Sequence, residues 1–159
     1  MSAGMDKAWF SEQIINMQDS MYRYAFCILK NDSDTKDAIQ DAIIKAYENL
    51  ETLNHPRKFK SWMMVILRNC AYDLIRKQKP YEELEEELTA PDHMGTELAD
   101  KMDLYQAIQK LSLVYRTTIL LYYYESMSVK EISRIMEVDA ATVRKRLSRA
   151  RTMLKEMLE

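Results

Sequence analysis

The stretch SVKEISRIMEVDAATVRKRLSRARTMLK, residues 128–155, decides the fold of the C-terminal part of the chain. Ser128 followed by Glu131 is a capping box, the pattern that begins an α-helix. This first helix is expected to end near Glu137, and Asp139 can cap a second, strongly basic helix. Two short helices joined by a turn of three or four residues are typical of a DNA-binding helix-turn-helix motif.

The second helix of this motif has two different faces. At about 100° per residue, one apolar stripe contains Val143, Leu147, Ala150, Leu154 and Met157. The opposite face carries small residues with Lys145 and Arg149, whose side chains can reach O6 and N7 of guanine in a major groove. The cations around them are expected to bind phosphates: Arg144, Arg146, Arg151 and Lys155. A helix whose charges only balanced acids elsewhere would have acidic partners four residues away, and residues 140–155 contain none.

The composition predicts an all-α protein. The chain has 159 residues, enough for one ordinary domain or two small ones. Its two glycines and three prolines are fewer than a strand-rich domain needs for its turns. Apolar residues instead recur at spacings of three and four, the period of a helix.

Most helix-breaking residues fall in one acidic stretch, PYEELEEELTAPDHMGTELAD, residues 80–100, which contains no lysine or arginine. Such a stretch cannot bury a core. We therefore predict a flexible acidic linker at 80–100 between two small helical domains, at 5–79 and 101–159. A linker that mimics nucleic acid and competes for the basic surfaces is the alternative.

The sequence lacks the features that mark several classes of protein and of functional site. No run approaches the ~20 apolar residues of a membrane helix and no signal peptide is visible, so we predict a cytoplasmic protein without membrane insertion. Cys27 and Cys70 lie in apolar helical patterns and are expected to be buried thiols. His55 and His93 are isolated, and neither metal-ligand spacing, a phosphate loop nor a nucleophile–base pair occurs. We expect no metal, no cofactor and no enzymatic activity.

The helix predicted in SDTKDAIQDAIIKAYENL, residues 33–50, has a buried side and a partner-facing side. The side expected to be buried contains Ile39, Ile43, Ala46 and Leu50. The opposite side presents Asp37, Gln40, Asp41, Ile44 and Glu48. An isoleucine among carboxylates indicates an interface with a basic rim, although an ordinary solvated face would look similar.

A second helix, FKSWMMVILRNCAYDLIRKQK at residues 59–79, is mostly apolar but carries one polar stripe. Trp62, Asn69, Asp73 and Arg76 fall within about 60° of one another, and lysines and arginines flank both ends. This pattern suits a nucleic-acid strand with exposed bases; a solvated stripe is the alternative. Tyr122, Tyr123 and Tyr124, further along the chain, are expected to be core residues and residues on the face of the domain, on the helices that support the helix-turn-helix; a base-stacking platform is the alternative.

Together these motifs resemble a sigma subunit of bacterial RNA polymerase, of the extracytoplasmic-function class (group 4) of the sigma-70 family. DAIQDAIIKAY resembles the polymerase-binding helix, with matches at Asp37, Gln40 and Ala46. The helix of residues 59–76 resembles the promoter −10 helix, with matches at Phe59, Trp62, Ile66, Asn69, Asp73 and Arg76. EISRIMEVDAATVRKRLSRAR resembles the −35 helix-turn-helix, with matches at Glu131, Ile132, Val138, Thr142, Val143, Arg146 and Arg149.

The chain departs from the family at two positions of the helix-turn-helix. The family's alanine in the first helix is Ser133, and its turn glycine is Glu137. A positive φ at Glu137 would cost about 1 kcal/mol. We therefore expect a tighter or differently wound turn.

The resemblance implies a role for each surface. The clamp helices of the largest polymerase subunit would bind Asp37, Gln40, Asp41, Ile44 and Glu48. The −10 element would be opened and held by His55, Arg57, Lys58, Trp62, Asn69, Asp73, Arg76 and Lys77, with the loop NHPRKF capturing a flipped base. The −35 duplex would be read by Arg144, Lys145, Arg146, Ser148, Arg149 and Arg151.

The resemblance also implies partners. These are core RNA polymerase, promoter DNA and an anti-sigma factor, with the protein monomeric when free or in a 1:1 complex with the anti-sigma factor. The domain at 5–79 would be sigma region 2 and that at 101–159 sigma region 4. A stand-alone helix-turn-helix regulator with a dimerising N-terminal domain is the alternative, and it has no use for the acidic face of residues 37–48.

Overall fold

The computed structural model describes residues 4–78 and 103–159, and every regular element within these ranges is helical. The prediction of an all-α fold is confirmed. The chain forms two compact units, Met1–Lys77 and Gln78–Glu159. The acidic linker predicted at 80–100 lies outside the described residues.

The N-terminal unit is built from four α-helices connected by short turns. They are α1 (Lys7–Asn16), α2 (Gln18–Leu29), α3 (Asp32–Glu48) and α4 (Phe59–Gln78), with 3₁₀ turns at Leu50–Thr52 and Pro56–Lys58 before α4. Side-chain caps begin two of the helices: Asp6 accepts from the Trp9 N–H and Asn31 from the Asp34 N–H. Between α2 and α3, Lys30 takes a left-handed conformation, φ 60°, that ends α2.

The buried side of α3 differs from the one predicted. Ala38, Ala42 and Ala46 are fully buried, whereas Ile39 and Ile43 are only half-buried. Because alanine has a small side chain, α3 can approach α2 closely along this line, and the bulkier isoleucines lie at its flanks. The prediction was correct for Ala46 and Leu50 and wrong in centring the buried side on the isoleucines.

Both cysteines are buried free thiols, as predicted. Cys27 lies on α2 and Cys70 on α4, where burial raises the pKa of the Cys70 thiol. Nearby, the phenol of Tyr24 is fully buried, and burial also raises its pKa. The raised pKa values favour the neutral forms of both groups, so these buried side chains serve packing.

The C-terminal unit places the helix-turn-helix on two supporting helices. The described elements are α5 (Leu104–Lys110), α6 (Leu113–Ile119), a π-helical turn (Leu120–Tyr124), α7 (Val129–Met136) and α8 (Ala140–Leu158). The capping box predicted at the start of α7 is present: the Ser128 Oγ accepts from the Glu131 N–H at 3.1 Å, and the Glu131 carboxylate accepts from the Ser128 N–H at 3.0 Å. Ile132 and Val143 are fully buried where α7 and α8 pack.

The turn between α7 and α8 keeps a left-handed residue, so the prediction of a differently wound turn is wrong. Glu137 has φ 57° and ψ 43°. The Val138 N–H donates to the Ser133 carbonyl at 3.1 Å, which closes the helix end as a glycine would. The hydrogen bonds of this turn and the buried face of α8 offset the steric cost of the glutamate.

The prediction for the three consecutive tyrosines is wrong in its core part, whereas the exposure of Tyr123 and Tyr124 agrees with a position on the face of the domain. Tyr122 is half-buried, but Tyr123 and Tyr124 are 52% and 47% exposed and do not belong to the core. They lie in a π-helical turn, in which the Glu125 N–H donates to the Leu120 carbonyl five residues back, at 3.1 Å. The Tyr123 hydroxyl accepts from Arg151 at the surface, and a tyrosine keeps its polar end at such a partner.

The strained turn generates a stability prediction. Glu137→Gly relieves the left-handed strain, so the C-terminal unit should gain about 1 kcal/mol in its free energy of unfolding. Because Trp9 and Trp62, the two tryptophans of the chain, both lie in the N-terminal unit, tryptophan fluorescence should report an unchanged melting curve while circular dichroism reports the gain.

The matched control is Arg134→Gly on the exposed side of α7. It should lose about 1 kcal/mol, since glycine is unfavourable inside a helix. Equal destabilisation by both substitutions would contradict the strain at Glu137.

Candidate nucleic-acid and protein interfaces

Helix α8 buries one face and exposes the basic one. The predicted stripe of Val143, Leu147, Ala150, Leu154 and Met157 is buried, together with Met153. On the outer side Arg144, Lys145, Ser148 and Arg149 are exposed, and Arg146 is half-buried. Nineteen residues of continuous helix thus hold these side chains at fixed spacing on a convex surface, the shape that enters a major groove.

The N-terminus of α8 is fixed by Asp139. Its carboxylate accepts from the Thr142 N–H at 2.7 Å. Hydrogen bonding with Thr142, together with the charge of Arg144, lowers the pKa of the Asp139 carboxyl from its ordinary value of 3.8. The carboxylate is therefore ionised at neutral pH.

The leading cations of α8 are available to an external anion. Within the part of the chain that the structure describes, neither Arg144 nor Lys145 forms an ion pair, although the charge of Arg144 acts on Asp139. At the far end of the helix Lys155 lies 4.0 Å from Glu159. Exposed cations outside ion pairs can replace counterions on a phosphate backbone.

Arg151 is engaged within the domain. Its Nε donates to the hydroxyl of Tyr123 at 2.6 Å. The guanidinium carbon lies 5.6 Å from the ring centroid of Tyr123 and 5.8 Å from that of Tyr122, within cation–π range. The side chain of Arg151 is exposed, and it leans towards the π-helical turn.

The outer face of α3 combines carboxylates with exposed apolar groups. The predicted set Asp37, Gln40, Asp41, Ile44 and Glu48 is exposed throughout. Ile44 is 52% exposed and Tyr47 46%, and the Tyr47 ring is held by Phe10 of α1 at 5.3 Å. Asp37, Asp41 and Glu48 form no ion pair with any residue that the structure describes. An apolar centre with unpaired acids around it suits a protein partner with a basic rim.

The polar stripe of α4 is present. Trp62 is half-buried, while Asn69, Asp73, Arg76 and Lys77 are exposed along the helix. Arg76 Nη1 lies 3.2 Å from Asp73 Oδ1, so this pair forms one hydrogen-bonded unit.

The loop before α4 presents the other predicted residues. His55, Arg57 and Lys58 are all exposed around the 3₁₀ turn. His55 Nδ1 accepts from the Arg57 N–H at 3.1 Å. The imidazole therefore caps the turn, and this hydrogen bond fixes the orientation of the ring.

Between the end of α3 and the middle of α4 lies a groove of about 460 Å³. It is lined by Lys45, Asn49, Thr52, Trp62, Val65, Ile66, Asn69 and Cys70. The indole N–H of Trp62 donates to the Thr52 hydroxyl at 3.1 Å, which fixes the ring at one side. The groove thus combines an apolar floor with a lysine and two amides, a lining suited to a flat aromatic ligand such as a base.

Four groove residues were missed by sequence reasoning: Lys45, Asn49, Thr52 and Val65. The first three lie on α3 and the turn that follows, a segment separate from the helix with the −10-like stripe. Lys45 and Asn49 are four residues apart and share a helix face, which is a local signal. What they face across the groove could not be read from that spacing.

Other kinds of site find no support in the described ranges. Within residues 4–78 and 103–159, no group of three or more histidines, cysteines or acidic residues could hold a metal ion. No helix among these residues combines the length and the apolar character needed to span a membrane.

Comparisons with known proteins identify both units. The Sigma-70 region 2 family matches residues 15–81 and the Sigma-70 region 4 family residues 101–154. The RNA polymerase sigma factor SigV of Bacillus subtilis is 34% identical over 153 residues, covering 96% of this chain and 92% of SigV. The ECF RNA polymerase sigma factor SigW of the same organism is 29% identical over 169 residues, covering 96% and 90%.

Two solved structures have the same fold. The sigma factor RpoE in complex with the anti-sigma factor NepR from Bartonella quintana superposes with a TM-score of 0.74 at 24% identity, over 94% of this chain and 96% of RpoE. CnrH in complex with the cytosolic domain of CnrY superposes with a TM-score of 0.71 at 22% identity, over 98% and 91%.

The cap of α8 predicts a pH dependence. Because the pKa of Asp139 is lower in the folded than in the unfolded chain, its stabilisation is complete above pH 3.8 and is lost as pH falls through the folded value. Asp139→Asn keeps a capping side chain that does not titrate. Melting curves from about pH 5 to pH 2 should therefore fall more steeply for the unmodified chain. Parallel curves would exclude this contribution of Asp139.

Proposed function

Because this chain belongs to the sigma-70 family, as an extracytoplasmic-function sigma factor, we propose that it binds core RNA polymerase and directs promoter-specific initiation of transcription. The observation that carries the proposal is the pairing, in one chain, of an acidic and apolar face in region 2 with a basic helix-turn-helix in region 4. A stand-alone DNA-binding regulator would need only the second. The proposed limits are 5–79 for region 2, 80–100 for the linker and 101–159 for region 4.

In this proposal the outer face of α3 docks on the clamp helices of the largest polymerase subunit. Ile44 and Tyr47 supply the apolar centre, and Asp37, Asp41 and Glu48 meet cations around it. Gln40 adds a hydrogen-bonding group. Long-range attraction between the charges speeds encounter, and the apolar centre provides much of the affinity.

Helix α4 and the loop before it act on the −10 element. A flipped base costs a few kcal/mol of unstacking. The loop with His55, Arg57 and Lys58 captures that base, and the groove beside Trp62 offers a further stacking surface. Asn69, Arg76 and Lys77 hold the opened strand, with Asp73 orienting Arg76.

Helix α8 reads the −35 element as duplex. Lys145, Ser148 and Arg149 face the base edges, and Arg144 and Arg146 hold phosphates on either side. Arg151 lies at the edge of this surface, against Tyr123. Phosphate contacts fix the register, so that a few side chains can discriminate between sequences.

The proposal includes an anti-sigma partner and a cytoplasmic location. RpoE and CnrH, which share this fold, were each solved with a binding partner, and the RpoE partner is named an anti-sigma factor. In region 4 an apolar pocket of about 280 Å³, with Leu104 and Tyr124 on its rim, offers a surface that such a partner can cover. The chain would be monomeric when free and bind an anti-sigma factor 1:1. Catalysis belongs to the polymerase.

Charge reversal on α3 tests polymerase binding. Asp41→Lys combined with Glu48→Lys should reduce co-purification with core polymerase at least tenfold, because like charges across an interface cost several kcal/mol. In vitro transcription should fall in parallel.

The matched control is Glu12→Lys combined with Asp19→Lys, the same charge change on exposed residues of α1 and α2. It should bind core polymerase as the unmodified chain does. Undiminished binding by the α3 variant would leave the stand-alone regulator as the better hypothesis.

The division of roles on α8 is tested with a panel of −35 sequences. Arg149→Ala should lose about 1–3 kcal/mol of binding free energy, concentrated at one base position, because a base contact is removed. Arg144→Ala should weaken binding to all sequences alike. The affinities of the holoenzyme across the panel provide the measurement, and the same profile for both variants would refute the assignment.

A further inference from the structure

We propose that Arg151 and Tyr123 set the rotation of α8 about its own axis and thereby the aim of the base-reading side chains. Arg151 is then a positioning residue and not a phosphate contact. This inference rests on the proposed function, since it concerns how the same helix reads −35 DNA. It gives Tyr123 of the π-helical turn a role in DNA reading, which the proposed function does not assign.

The contact joins two separate parts of region 4. Arg151 lies on α8 and Tyr123 on the π-helical turn that follows α6, 28 residues earlier in the chain. The hydrogen bond of 2.6 Å is short, and the guanidinium also lies beside the rings of Tyr122 and Tyr123. A planar guanidinium held by one hydrogen bond and two rings has a defined orientation.

The π-helical turn carries the tyrosine of this contact. Tyr123 is 52% exposed, with its hydroxyl at Arg151, and the two residues line one pocket together with Ile119 and Leu154. Isolated π-helical turns often occur at functional sites, because they are less favourable than continuous α-helix.

The position of Arg151 on α8 explains what the contact can control. Arg151 lies about 40° from Leu147 and 60° from Leu154, at the edge of the buried stripe. Apolar packing of that stripe has no directional preference, so small rotations of the helix cost little free energy. A hydrogen bond at the edge of the stripe opposes such rotations.

Small rotations matter for base reading. Rotating a helix by 10° moves a side-chain atom about 6 Å from the axis by about 1 Å. Hydrogen bonds tolerate only about 0.5 Å of variation in length. The Arg151–Tyr123 contact therefore acts on Lys145 and Arg149 through the helix, although it lies on a different side of it.

The salt dependence of promoter binding distinguishes positioning from phosphate contact. Each phosphate contact contributes about 0.9 to the slope of log affinity against log salt. The control is Arg144→Ala, on the same flank two turns earlier, which should reduce the slope by that amount. Arg151→Ala in the holoenzyme should instead lower affinity roughly fivefold while changing the slope by less than half as much.

Tyr123→Phe supplies the second test, because it removes a hydroxyl without changing charge, ring or helix. It should also lower affinity roughly fivefold with an unchanged slope. The double variant should be no weaker than Arg151→Ala, since both substitutions break one contact. If Arg151→Ala fails to fold, Tyr123→Phe alone decides.

Two results would overturn the inference: a slope reduced by Arg151→Ala as much as by Arg144→Ala, or a Tyr123→Phe holoenzyme that binds like the unmodified one. Failure of the proposed function is distinguished by experiments on the unmodified chain. If the proposed function is wrong, the unmodified chain neither binds core polymerase nor directs transcription from a promoter.

Discussion

Helices α3, α4 and α8, which carry the candidate interfaces, must each bury one side to be held in place. This constraint decides which of their residues stay exposed and can contact a partner. Helix α3 buries a line of alanines, α4 buries Met63, Met64 and Leu67, and α8 buries Val143, Leu147 and Ala150. Since the helical period is fixed, burying one line of residues determines the opposite line to within a few tens of degrees. The acids of α3 and the cations of α8 are displayed because their neighbours are packed.

The near-neutral total charge of the chain, −2, conceals two surfaces of opposite sign. The carboxylates of α3 and the cations of α8 belong to different compact units, so each unit presents its own charged surface to a partner. Local segregation of charge therefore matters more to the function than the sum.

Local signals made most of the fold predictable. The capping box at Ser128, the cap at Asp139 and the apolar stripe of α8 all depend on residues three to seven positions apart, and all are present. The wrong predictions concern features that depend on tertiary context. The buried line of α3 consists of alanines and not of the predicted isoleucines, because α2 approaches α3 closely. Tyr123 lies half exposed in a π-helical turn, which no residue type encodes by itself. The groove beside Trp62 and the Arg151–Tyr123 hydrogen bond join segments far apart in sequence, which periodicity cannot reveal.

The cap of α8 has a further consequence for DNA recognition. A helix N-terminus carries a partial positive charge and is a ready anion site in many proteins. Here the ionised carboxylate of Asp139 occupies that end and cancels the attraction of the helix macrodipole for a phosphate. In the proposed complex, contact of α8 with the DNA backbone is thereby left to side chains, which can be lost or gained one at a time. A sigma factor arranged in this way can change its promoter preference by single substitutions without altering the helix that carries them.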